Sequence, residues 1–278
     1  MKVSGFNKIF EGIKNRWIVF RECIKYNLQI ELAYPASNWG SILSTLFYSL
    51  ALIFFIEVVY LNVTNVVGYD RNQMLLMFLV GQSSFYICWS TWYKGIEELP
   101  QDISNGRFDL ILTKPLDSKF YTSVHKARIF VIFREGILPM TILSSIIDWK
   151  GLNLEPLNIL VGIVISILGM ISFHNLMIIT VIPSFWFGRI ESLHRVMYNM
   201  YDLTTEKVPL EGFPDVFKIV FTYFFPLLFI TGYSSSVILE KSSRYSALIL
   251  AIVITIIFQI LARRLWKYAI KNYTSASS

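Results

Sequence analysis

The chain has 278 residues, of which 54% are hydrophobic and only 16% charged, and its mean hydropathy is +0.53. That balance excludes an ordinary soluble domain and predicts a polytopic membrane protein built of helices. The formal net charge of +6 does not point to a nucleic-acid partner, because the basic residues flank apolar runs instead of clustering on one face.

In chain order, Phe6, Ile9, Phe10, Ile13, Trp17, Phe20, Ile24 and Leu28 recur at helical spacing, with Lys8, Lys14, Arg16, Arg21 and Lys25 between them. The pattern predicts a basic amphipathic helix within residues 1–38 lying against membrane lipid, ended by Tyr34-Pro35. Apolar runs long enough to cross a bilayer follow near residues 39–61, 72–93, 129–147, 157–182 and 246–262. Cys23 falls in the first helix and Cys88 inside the second run, so no disulfide between them is expected.

Two further stretches compete for a sixth crossing. Residues 184–207 are helical in pattern but polar, whereas 216–239 are apolar but broken by Pro226 and Gly232. Hydropathy alone favours 219–239 as the span, with 184–218 as a loop. The Lys and Arg distribution puts both termini, and the segment around Lys94, Arg107, Lys114, Lys119, Lys126 and Arg128, in the cytoplasm.

The cytoplasmic segment 94–118 contains NGRFDLILTKPLD (residues 105–117). Asn105-Gly106 suits a tight turn, Phe108, Ile111 and Leu112 form an apolar stripe, and Pro115 stops the helix. Glu97, Glu98 and Asp102 add acidic character upstream. A short amphipathic helix at the end of two spans suits docking on a soluble partner.

This stretch resembles the coupling region of ABC-2 type transporter permeases. The family pattern Gly-x-Leu-Asp/Glu-x-x-Leu-x-x-Pro-Leu is matched by Gly106, Asp109, Leu112, Pro115 and Leu116, with Phe108 in place of the usual Leu. PLEGFPDVFKIVFTYFFPLLF (residues 209–229) and WKYAIKNYTSAS (residues 266–277) are also similar to family segments. The resemblance implies an all-α fold of six transmembrane helices, with the N-terminal interfacial helix and a cytoplasmic coupling helix around residues 96–112. It implies that 190–207 cross as a polar fifth span facing the subunit interface and that 213–239 form a broken hairpin. It also implies a bacterial inner-membrane exporter with a second permease copy or a different permease, and a separate ABC ATP-binding subunit that holds ATP and Mg2+. The ATPase-coupling residues would be Glu97, Glu98, Gly106, Phe108, Asp109, Leu112, Pro115 and Leu116.

Charged groups at membrane depth are costly and mark pathways or ion pairs. Arg134 and Glu135 form one candidate pair, and His194, Arg195, Tyr198 and Asp202 share one helical face. An ion-coupled carrier without ATPase subunits is the alternative reading and would use Asp202 or Glu135 as its ion site. No phosphate-binding Gly-x-x-x-x-Gly-Lys motif, paired-histidine metal spacing or Gly-x-Ser-x-Gly elbow occurs in the sequence, so neither a cofactor nor catalysis is expected in this chain.

Overall fold

The computed structural model describes residues 5–33, 35–188, 191–206 and 208–274, with side chains described for 14–33, 38–188, 195–204 and 208–274. Among these the chain is helical, with no named strand. The first helix, α1 (Gly5–Leu32), leads into α2 (Pro35–Tyr60). Next comes α3 (Arg71–Cys88), opened by a capping box in which Gln73 N donates to Asp70 Oδ1 at 2.9 Å. It runs through a π-turn at Trp89–Tyr93 into α4 (Lys94–Glu97) and α5 (Leu99–Ser104).

Beyond a turn lie α6 (Arg107–Leu112) and α7 (Ser118–Val124), the latter capped by the Asp117 carboxylate accepting from Phe120 N at 3.0 Å. A second π-turn, Ile132–Gly136, starts α8 (Ile137–Ile146). Then come α9 (Pro156–Val181), α10 (Ser184–Phe187), α11 (Glu191–Glu206), α12 (Asp215–Ile219), α13 (Gly232–Ile238) and α14 (Arg244–Lys271).

Among the described residues four helices are long and apolar enough to cross a membrane: Asn38–Tyr60, Arg71–Ser104, Pro156–Phe187 and Arg244–Lys271. The expected run at 129–147 is not among them, because its regular helix is only ten residues long. The physical reason lies at Pro139, which has no N–H for the preceding turn, and the ladder slips into the π-turn at Ile132–Gly136. The segment nevertheless runs the length of α3. Arg128 N donates to Ser90 O at 2.6 Å at one end, and Asp148 N donates to Asn72 Oδ1 at 3.3 Å at the other.

The same register locates α11. Tyr198 lies 6.1 Å from the rings of both Trp89 and Tyr93, and Tyr201 lies 6.1 Å from Phe85 and stacks on Phe173 at 4.7 Å. It therefore runs antiparallel to α3, and just beyond it Gly212 approaches Val67 in the loop between α2 and α3. The following segment starts beside that loop and returns to it, for Lys241 Nζ donates to Gly68 O at 2.7 Å.

Between these two points the chain breaks at Phe225–Thr231, where Leu227, Leu228, Phe229 and Ile230 are fully buried. Irregular backbone at membrane depth must be buried in protein with its polar groups met. Here Ser166 Oγ of α9 donates to Ile230 O at 2.8 Å, and Tyr233 N donates to Leu228 O at 2.8 Å. The approach requires small residues on α9. A Cβ at Gly169 would lie 2.6 Å from Ile230 N, and one at Gly162 would lie 2.4 Å from Ile238 Cγ1.

Gly169→Ala is expected to destabilise the protein by about 1–3 kcal/mol or more, because the obstacle is backbone. Gly40→Ala, with nothing within 4 Å of the added carbon, is expected to leave stability unchanged or raise it by up to ~1 kcal/mol. Thermal unfolding of the two detergent-solubilised variants beside the parent checks the contrast.

Candidate functional site

The residues singled out in 94–118 form a junction at one end of the bundle. The chain does not make a single helix over 96–112. Gly106 adopts φ 71°, a left-handed conformation that favours glycine, and bends α5 away from α6. Asp109 N donates to Gly106 O at 3.3 Å and closes the bend.

The apolar stripe turns inward. Phe108 is fully buried and meets Phe185, Tyr273 and Trp266 edge-on at 5.2, 5.5 and 6.1 Å, while Ile111 is also buried and Leu112 partly so. These residues fix α6 to α10 and α14, so they are not available to press into a partner. What α5 and α6 present outward is Gln101, Ser104, Asn105, Arg107 and the 66%-exposed Leu110, followed by Thr113, Lys114 and Pro115. Leu116 is half-buried, its N–H donating to Lys114 O at 2.8 Å as the chain turns toward α7.

The acidic residues are likewise engaged. Asp102, named in the sequence only as part of an acidic surface, is 3% exposed. Its carboxylate accepts from Lys126 Nζ at 2.8 Å, pairs with Arg107 Nε at 3.1 Å and faces His125 Nε2 at 3.8 Å. Glu98 shares Lys126 at 2.6 Å and Lys94 at 3.1 Å, and Glu97 takes Lys94 at 2.9 Å. A carboxylate buried to this degree is tolerated only because cations surround it.

Sequence reading also passed over Gly95, where an added Cβ would sit 2.3 Å from Thr122 O and 2.8 Å from Ser123 O. This glycine lets α4 lie directly on α7, and its one sequence signal is a glycine inside an otherwise helical pattern. The far side of α7 is tied inward as well. Lys119 Nζ donates to Asn175 Oδ1 at 2.8 Å, and burial, with Arg263 adding to it, pushes this amine down to about 8.

The two candidate sets meet at one place. A cavity of about 360 Å³ is lined by Trp89, Tyr93, Lys94, Glu97 and Glu98 from the end of α3 and α4, and by Arg195 and Tyr198 from α11. Arg195 thus lies beside the charged junction and not at mid-span. Asp202 is half-buried one turn past Tyr198 on the same helix, and the side chain of His194 lies outside the described residues. Arg134 and Glu135 are elsewhere. They pair with each other in the Ile132–Gly136 π-turn, Arg134 also donating to Asn38 of α2, and so act as a brace between elements. Among the described residues no group of three or more His, Cys, Asp or Glu could hold a metal.

Replacing Asp102 by Asn leaves Lys126 and Arg107 facing a neutral group and is expected to lower stability by about 3 kcal/mol. Glu97→Gln loses only the half-exposed pair with Lys94 and is expected to stay within about 1 kcal/mol. Unfolding midpoints of the purified variants distinguish the buried anchor from the rim.

Neither a curated protein nor a solved structure matches the chain. The family model described as ABC-2 family transporter protein matches residues 46–277, which take in every crossing helix from the second half of α2 onward and the whole junction. With its membrane-spanning helices and this match, the chain belongs to the ABC-2 family of transporter proteins and is a multi-pass membrane transport protein.

Proposed function

We propose that this protein is the membrane subunit of an ATP-driven exporter. Two permease subunits, identical or different, form the pathway, and a separate ATP-binding subunit holds ATP and Mg2+. The observation that carries this reading is the α5–α6 bend. It presents a small outward surface around Leu110 while its own interior is locked to the bundle through Phe108 and Asp102. A surface held in that way passes displacement on to α3, α7 and α14 instead of absorbing it. Closure of the ATP-binding subunits would move the bend, and the cavity between α4 and α11 would change with it.

In this reading the chain crosses the membrane six times, with both termini cytoplasmic in a bacterial inner membrane. Support comes from 128–148 and α11, each of which runs along the length of α3, and from the segment after Gly212, which leaves and rejoins the 61–70 loop. Support for the orientation comes from the basic residues gathered at the α1, 94–128 and C-terminal α14 ends. The outward residues of α11, among them Val196, Asn199 and Leu203, would face the second permease.

Introduced cysteines, in a background with Cys23 replaced by Ser and the remaining Cys88 buried, test the topology. Asn62→Cys and Asp215→Cys, the latter almost fully exposed in the parent, are expected to react with a membrane-impermeant maleimide added outside intact cells. Ser104→Cys is expected to react only after permeabilisation. If Asp215→Cys needed permeabilisation too, 184–218 would be a cytoplasmic loop and the six-crossing order would be wrong.

Leu110→Glu tests coupling. The substitution should leave the unfolding midpoint unchanged within about 0.5 kcal/mol, yet abolish recovery of an ATP-binding subunit when the tagged chain is purified from its own membranes in mild detergent. Retained partner and unaltered ATPase activity with Leu110→Glu would count against docking at this bend.

A further inference from the structure

A second cavity, of about 390 Å³, lies at the elbow between α1 and α2. Asn27, Glu31, Asn38, Lys94, Glu98, Lys126 and Arg128 are among its lining residues. Its level is set by Asn38, the first residue of the first membrane-spanning stretch, Asn38–Tyr60. The adjoining Trp39 is 67% exposed, as an interfacial aromatic would be. Asn27 ties α1 to the chain just after α7, its Nδ2 donating to His125 O at 2.9 Å and Ala127 O at 3.0 Å.

The cavity holds an incomplete ion pair. The Glu31 side chain is only 4% exposed, and its Oε1 accepts from Arg128 Nε. Its other oxygen, Oε2, is buried without a hydrogen-bond partner among the described residues. The terminal nitrogens of the Arg128 guanidinium donate to no described residue. A buried carboxylate oxygen left unpaired is unfavourable and calls for a donor, and the remaining edge of the guanidinium, its two terminal nitrogens, is suited to a phosphate. Donor need and acceptor need sit on the two halves of one pair. The complementary ligand carries an ammonium and a phosphate close together, at the depth of lipid headgroups.

We propose that this cavity is a binding site for the phosphoethanolamine headgroup of a membrane lipid, its ammonium on Glu31 Oε2 and its phosphate on the terminal nitrogens of Arg128. The acyl chains lie along the exposed stripe of α2 formed by Trp39, Leu43 and Phe47, which are 67%, 53% and 70% exposed and lie one turn apart. Lys94 and Lys126 are already matched by Glu97, Glu98 and Asp102, so the site stays close to neutral and favours a zwitterion over a purely anionic lipid. A lipid seated here would brace α1 against the segment that carries Lys126, one ion pair away from Asp102.

The site predicts a headgroup order that needs no mutation to test. The intact protein is placed in nanodiscs holding equimolar phosphatidylethanolamine and phosphatidylcholine with identical chains, and the lipids retained after gas-phase release are weighed by native mass spectrometry. The last retained lipid should be phosphatidylethanolamine, favoured about tenfold or more, since its ammonium donates and the trimethylated nitrogen cannot. Preference should fall stepwise through the mono- and dimethylated headgroups, and phosphatidylglycerol should not displace the ethanolamine lipid. Glu31→Gln should remove the discrimination. Equal retention of the ethanolamine and choline lipids would overturn the proposal, as would preferential retention of phosphatidylglycerol, which would mark a plain anion site.

Discussion

The carboxylate of Asp102 is the point on which the architecture at the α5–α7 end of the bundle rests. It sits near the far end of the helical run Arg71–Ser104 and is almost wholly buried, and three basic side chains from two different segments converge on it. Removal of one charge from such a cluster leaves the others uncompensated, so the cluster behaves as a unit. It joins α5 to the start of α6 through Arg107 and to the end of α7 through His125 and Lys126. The edge-on packed rings around Phe108 join α6 to α10 and α14. Together they turn a bend made of two six-residue helices, too short to be stable alone, into part of the bundle.

A second constraint acts deeper in the bundle. The 213–239 segment places non-helical backbone against the middle of α9, where water is not available to meet its polar groups. The sequence answers with glycine at 162 and 169, which lets the backbone approach, and with serine at 166, which supplies a donor to Ile230 O. A π-turn at Val220–Phe224 precedes Pro226 in the same way that the one at Ile132–Gly136 precedes Pro139. At Pro139 the missing proline N–H is accommodated by slipping the ladder and the helix continues, whereas at Pro226 the helix ends in the irregular Phe225–Thr231 stretch.

The helical membrane class was legible because continuous apolar runs have no other stable solution, and family membership was legible from the order of the motifs around Gly106, Pro209 and Trp266. The inward turn of Phe108 was not. Periodicity puts Phe108, Ile111 and Leu112 on one face but does not say whether that face meets the chain's own core or a partner. Asp102 was misread for a related reason. An acidic residue between two others looks like a solvated face, and its partners Lys126 and His125 are more than twenty residues away. Gly162, Ser166 and Gly169 were visible as small residues on one helix, yet the irregular segment they admit is sixty residues further on. The shortened third apolar run followed from Pro139, whose effect on the preceding turn no hydropathy window registers.

The central claim is that the α5–α6 bend is the point where an ATP-binding subunit takes hold. The most direct measurement is photocrosslinking in native membranes, with a benzophenone side chain in place of Leu110 and the crosslinked product identified by mass spectrometry. The account predicts a product with an ATP-binding subunit, whose yield changes when ATP is trapped unhydrolysed. Crosslinks confined to lipid or to the permease itself, in membranes where the transporter is active, would contradict it.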